Sequence, residues 1–193
     1  MAARAETVER TRRQIVDAAT ALFQERPYDL VSLAEVARSS GLSLATVVRQ
    51  FATKDQLFAA AVAEARQVLE GEDMRVAAND PTAAVHRMVA NYERFGDVIV
   101  RMLAEEDRVP AIREVTEHGR KFHRSWTEQA FEGTLSRLGG RARRVRFAQL
   151  VAATDVLFWK LLRRDMELSR REVENAMTEV VEALCNQARL PTR

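Results

Sequence analysis

Disulfides, phosphate cradles and membrane spans have no raw material in this chain of 193 residues. A single cysteine, Cys185, excludes a disulfide framework and a cysteine zinc site. Seven glycines and four prolines are present, about half the usual share. None of the glycines approaches GxGxxG or a P-loop pattern, so a glycine-rich phosphate loop is excluded. No apolar run reaches about 18 residues, and the N-terminus MAARAETVERTRRQ lacks an apolar signal core; a cytoplasmic protein is the expectation. A dominant charge is missing too, because the net charge of +2 is too small to argue nucleic-acid binding by itself.

What is present is material for helices. Ala, Leu, Glu and Arg make up nearly half the chain, all strong helix formers, and 47% hydrophobic residues suffice for a sizeable core. An all-α protein follows. Ser32-Leu33-Ala34-Glu35 is a capping box, repeated at Thr53–Gln56 and Ser169–Glu172, and Asp80-Pro81 sets an N-cap before a proline. Stops stand at Pro27, Gly71, Gly96, Pro110 and Gly139-Gly140. These signals predict helices over 7–25, 32–39, 43–51, 54–70, 81–95, 98–107, 111–138, 141–165 and 169–189.

The segment 32–51 has the order of a helix-turn-helix. Ala37 lets the second helix approach, Gly41 supplies a turn position with positive φ, and Val36 and Val47 fill the small core between the helices. Ser43 caps the second helix, whose Leu44, Ala45, Thr46, Arg49 and Gln50 are placed to reach a major groove. Arg10, Arg12 and Arg13 lie on the preceding helix, and Lys54 opens the next, where a phosphate can be gripped. An ordinary helical corner is the alternative from spacing alone.

Over residues 11–64, Arg13–Phe23, Tyr28, Ser32, Val36-Ala37, Gly41-Leu42-Ser43, Thr46, Phe51, Lys54 and Leu57-Phe58 resemble the DNA-binding domain of TetR-type transcriptional regulators. The resemblance implies a three-helix DNA-binding domain (1–53) and a helical ligand-binding and dimerisation domain (54–193). It also implies a homodimer on a near-palindromic double-stranded operator, with Ser32, Ser43, Leu44, Ala45, Thr46, Arg49, Gln50 and Lys54 at the DNA. This chain departs from the family pattern at Val48, where an aromatic is usual, at Leu44, where Lys or Arg is frequent, and at Pro27, a common Gly.

In the second half, Met88, Tyr92, Phe95, Met102, Phe122 and Trp126 fall on apolar stripes. They read either as plain core or as the wall of an adaptable pocket for an apolar or aromatic ligand. Helix 141–165 is apolar on two faces and helix 169–189 on a broad one, which points to a four-helix dimer interface through Val145, Ala152, Val156, Trp159, Val173, Met177, Val180 and Leu184. Asp155, amid the apolar run, reads as a buried hydrogen-bonded residue or a ligand contact. Helix 54–70 joins the halves and is the natural lever between them. His118 and His123, five apart, are badly placed to share a metal; no metal, cofactor or catalytic residue is expected, since no nucleophile has a base in a recognisable context. Two functions stay open. One is a ligand-released DNA-binding repressor; the alternative is a helical small-molecule-binding or scaffolding protein with a vestigial DNA-binding domain.

Overall fold

The computed structural model describes residues 2–69, 74 and 80–187. Helix α1 (Ala2–Glu25) is followed by a 3-10 turn at Tyr28–Leu30, α2 (Leu33–Ser40), α3 (Leu44–Gln50) and α4 (Lys54–Leu69). Then come α5 (Pro81–Glu105), α6 (Pro110–Ala130), α7 (Glu132–Leu135), α8 (Gly140–Ala153), α9 (Val156–Lys160), a π turn at Leu161–Asp165, and α10 (Arg170–Gln187). There is no strand among the described residues. The expected stop at Gly71 and the last residues of helix 169–189 lie outside the described residues.

Local signals account for α2 and α3. The Ser32 hydroxyl accepts the Glu35 N–H at 3.2 Å while the Glu35 carboxylate accepts the Ser32 N–H at 2.9 Å, closing the capping box. Gly41 ends α2 at φ +67°, and the Leu42 N–H donates to the Ala37 carbonyl at 3.0 Å. Ser43 then caps α3 through the Thr46 N–H at 3.2 Å. Val36, Val47, Phe51, Leu57 and Phe58 close over Ile15, Ala19 and Phe23 of α1. Val109 and Ile112, from the corner between α5 and α6, complete that same core.

Three expectations about the long helices are corrected. The expected helices 81–95 and 98–107 are one, α5, which runs straight through Gly96; the glycine there makes room for a ring, since a Cβ would lie 2.4 Å from the buried Trp159 side chain. The expected helix 111–138 ends at Ala130, breaks at Phe131 and resumes as the short α7. Helix 141–165 breaks as well. Asp155 takes an extended conformation and caps α9 by accepting the Leu157 N–H at 2.8 Å. The apolar run is therefore divided between two helices, with Leu150 and Ala153 buried on α8 and Val156 and Trp159 buried on α9. Val156, Trp159, Val173 and Met177 are core residues packed with Val85, Val89 and Leu150, and are not free to meet a second copy.

Candidate DNA-reading face and ligand cavity

With Val47 buried, α3 holds its opposite side clear of the protein. Leu44 is 47% exposed and Val48 44% exposed, with Ala45 and Arg49 exposed beside them and Thr46 and Gln50 half-buried. The Ser32 and Ser43 hydroxyls are engaged in capping, and the Ser43 Oγ lies 2.9 Å from the Thr46 Oγ1. Lys54 is half-buried: its ammonium donates to the Tyr28 carbonyl at 3.1 Å and sits 4.1 Å from the centre of the Tyr28 ring. The Tyr28 hydroxyl donates to Asp55; burial first, and then that carboxylate, push the phenol pKa well up. Lys54 thus secures the Tyr28 turn beside the start of α4, with two ammonium protons left over. A groove of about 530 Å³ between α1 and the end of α2 is lined by Arg10, Arg13 and Gln14 with Ser39 and Ser40, next to the turn that leads into α3.

On the other side of the domain lies a cavity of about 620 Å³. Met88, Tyr92, Phe95, Met102 and Phe122 line it, as the apolar stripes suggest. Trp126 does not: its Nε1 donates to the Met74 carbonyl at 2.7 Å and its ring meets Phe131 edge-on, so it belongs to the core. The cavity also extends beyond α5 and α6. It reaches Phe23 and Gln24 at the end of α1, Phe58 and Val62 of α4, and Val156 of α9. No sequence signal marks these, because the stripe of a helix tells what is buried and not what lies across from it.

Polar groups sit at two stations on this wall. At one, Glu106 accepts hydrogen bonds from Thr116 and Arg120, which hold its carboxyl below the usual range. At the other, the His123 Nε2 lies 3.0 Å from the Thr154 Oγ1, and its Nδ1 lies 3.9 Å from the Asp155 carboxylate. Asp155 is hydrogen-bonded as expected but only half-buried: it caps α9 and stands at the cavity edge. Burial lowers the His123 pKa below its ordinary 6.5, a direction that Arg124 reinforces and Asp155 opposes. A histidine depressed on folding binds fewer protons folded than unfolded, so its stability contribution is complete above pH 6.5 and is lost as the pH falls below it. Chemical unfolding of His123→Gln between about pH 5 and 8 should show a flatter dependence on pH than the parent. Among the described residues, no three His, Cys, Asp or Glu side chains gather closely enough to hold a metal.

Residues 15–61 match the sequence profile of bacterial regulatory proteins of the tetR family. No curated protein sequence matches the chain. In fold, the chain is similar to a transcriptional regulator from Rhodococcus sp. Rha1, at 20% identity and a TM-score of 0.72 over 94% of this chain and 99% of that one. It is similar to a tetR-family transcriptional regulator from Streptomyces coelicolor, at 20% identity and a TM-score of 0.63 over 93% and 82% of the two chains. A third likeness is to the multidrug binding protein EbrR in complex with imidazole, at 20% identity and a TM-score of 0.55 over 88% of each chain.

Proposed function

We propose that this chain, whose residues 15–61 match the tetR-family profile and whose fold is similar to that of a transcriptional regulator, is a homodimeric TetR-type repressor rather than an enzyme, released from its operator by an apolar or aromatic small molecule. The observation that carries the DNA-binding part is α3, fixed by a buried Val47 and two capped ends while Leu44, Ala45, Val48 and Arg49 stand free. Two such helices, one from each copy, enter major grooves about one turn, roughly 34–36 Å, apart. The ligand part rests on the apolar wall of the cavity, which is of ordinary size for small-molecule sites. The EbrR structure adds that this fold accommodates a bound small molecule elsewhere.

The dimer contact proposed here keeps Val145, Ala152, Val180 and Leu184 of the expected residues and adds three that the stripes did not mark. Val145, Leu157, Leu161, Met166 and Val180 are exposed apolar side chains of α8, α9, the π turn, the residue after it and α10, while Ala152 is exposed and Leu184 half-buried. An apolar group of this kind marks a contact surface. Light scattering at micromolar concentration should give twice the 21.9 kDa of one chain.

One experiment tests the whole reading: fluorescence anisotropy with duplex DNA from upstream of the protein's own gene, repeated with apolar aromatic compounds. Tight binding to a near-palindromic site, weakened about 10- to 100-fold by a compound that enters the cavity, is the expected result; it needs a preference of only about 1.4–2.8 kcal/mol for the DNA-incompetent state. Equal affinity for that site and for random duplex would leave the scaffolding alternative, which the exposed aliphatic Val48 on the reading face favours.

A further inference from the structure

The end of α5 and its C-cap, Glu106, carry two pairs of side chains that serve different halves of the molecule. Met102 and Glu106, four apart, face the cavity. Arg101 and Glu105, each one residue earlier, face the DNA-reading domain. The Arg101 Nη2 donates to the Phe23 carbonyl at 2.8 Å and to the Gln24 carbonyl at 2.7 Å, at the end of α1. Glu105, only 6% exposed, accepts the backbone N–H of Tyr28 at 3.1 Å. Tyr28 in turn holds Lys54 and Asp55, the first residues of α4 and close behind the end of α3.

All three bonds from α5 end on main-chain atoms. A side-chain partner can swing to another rotamer when a helix shifts; a main-chain partner cannot, so it must follow or the bond must break. A buried carboxylate is poor evidence for stability in its own right, and a better one for fixing a single register between elements. From this we infer that Arg101 and Glu105 are positioning residues that carry cavity occupancy to the reading head. An occupant that presses on Met102 and Glu106 displaces the end of α5, and the end of α1 and the Tyr28 turn move with it. The inference rests on the cavity being a ligand site, as proposed above. It places the coupling in the α5 end as well as in α4, the segment that joins the two halves along the chain.

The test uses the full chain with N-phenyl-1-naphthylamine as the apolar probe, and follows amide hydrogen exchange at residues 22–28 with and without it. In the parent protein, saturating probe should change exchange at Tyr28 by about fivefold or more, the low end of ordinary coupling between sites. In Arg101→Met/Glu105→Met the probe should bind with the parent's affinity while that change disappears. Glu105→Gln, whose amide oxygen still accepts the Tyr28 N–H, should keep it, a rescue that a merely structural role does not predict. If the double variant does not fold, Arg101→Met alone leaves Glu105 paired and should lose the response at residues 22–26 while keeping it at Tyr28. Probe bound to the parent without any change at Tyr28 overturns the inference, as does an undiminished change in the variant that lacks the bonds. No binding of the probe by the parent overturns instead the cavity reading beneath it.

Discussion

Trp159→Ala lowers the stability of this protein by about 3–5 kcal/mol, which for a chain of this length moves the thermal midpoint down by roughly 6–20 °C. The side chain has no exposed surface. Its Nε1 donates to Glu93 at 3.1 Å, its ring faces Tyr92 at 5.9 Å, and the Arg164 guanidinium sits 4.9 Å from its centre. Truncation therefore removes a large buried apolar surface and leaves a void between α5 and α9. The same ring occupies the place of the missing Cβ of Gly96, with three of its carbons 2.4, 2.7 and 2.9 Å from where that atom would be. Gly96→Ala should gain up to about 1 kcal/mol of helix propensity and yet be destabilising by about 1–3 kcal/mol net, since the ring has nowhere to go. In the Trp159→Ala background that penalty should vanish. Denaturant unfolding of the parent, the two single variants and the double variant measures the coupling, and strictly additive effects would contradict the contact.

Arg49→Ala weakens binding to the best operator by about 1–3 kcal/mol and relaxes preference at one base pair, if the exposed guanidinium on α3 reads a base edge as its placement suggests. The double variant Arg10→Ala/Arg13→Ala should behave differently. Both arginines line the groove beside the turn into α3, and a contact to phosphate carries no sequence information. Affinity should therefore fall for operator and random duplex alike, and the slope of log affinity against log salt should flatten by about 1.8 for two lost contacts. Lys54→Ala should add a loss of a third kind, because its ammonium already braces the Tyr28 turn. Anisotropy titrations from about 50 to 200 mM salt separate these outcomes. An Arg10→Ala/Arg13→Ala protein that keeps the parent's salt slope would remove α1 from the DNA interface.

The helix-turn-helix half was legible in the sequence because its determinants are local. The Ser32–Glu35 box, the left-handed position at Gly41 and the Ser43 cap each act across three to five residues, and such signals do not depend on what the rest of the chain does. The all-α class was legible for the same reason, since propensity sums over neighbours. Tertiary structure decided the rest. Gly96 stays helical and reads like a stop, because its meaning comes from a ring 63 residues further on that no local signal announces. Helix 141–165 looks two-faced, yet an Asp155 cap turns it into two helices and sends Val156 and Trp159 into the protomer's own core. Trp126 sits on the expected stripe and still misses the cavity, while Phe23 and Phe58 line it from α1 and α4. An apolar stripe fixes which side chains must leave water; which neighbour receives them is set by the packing of elements far apart in the chain, as Glu105 is from Tyr28 across 77 residues.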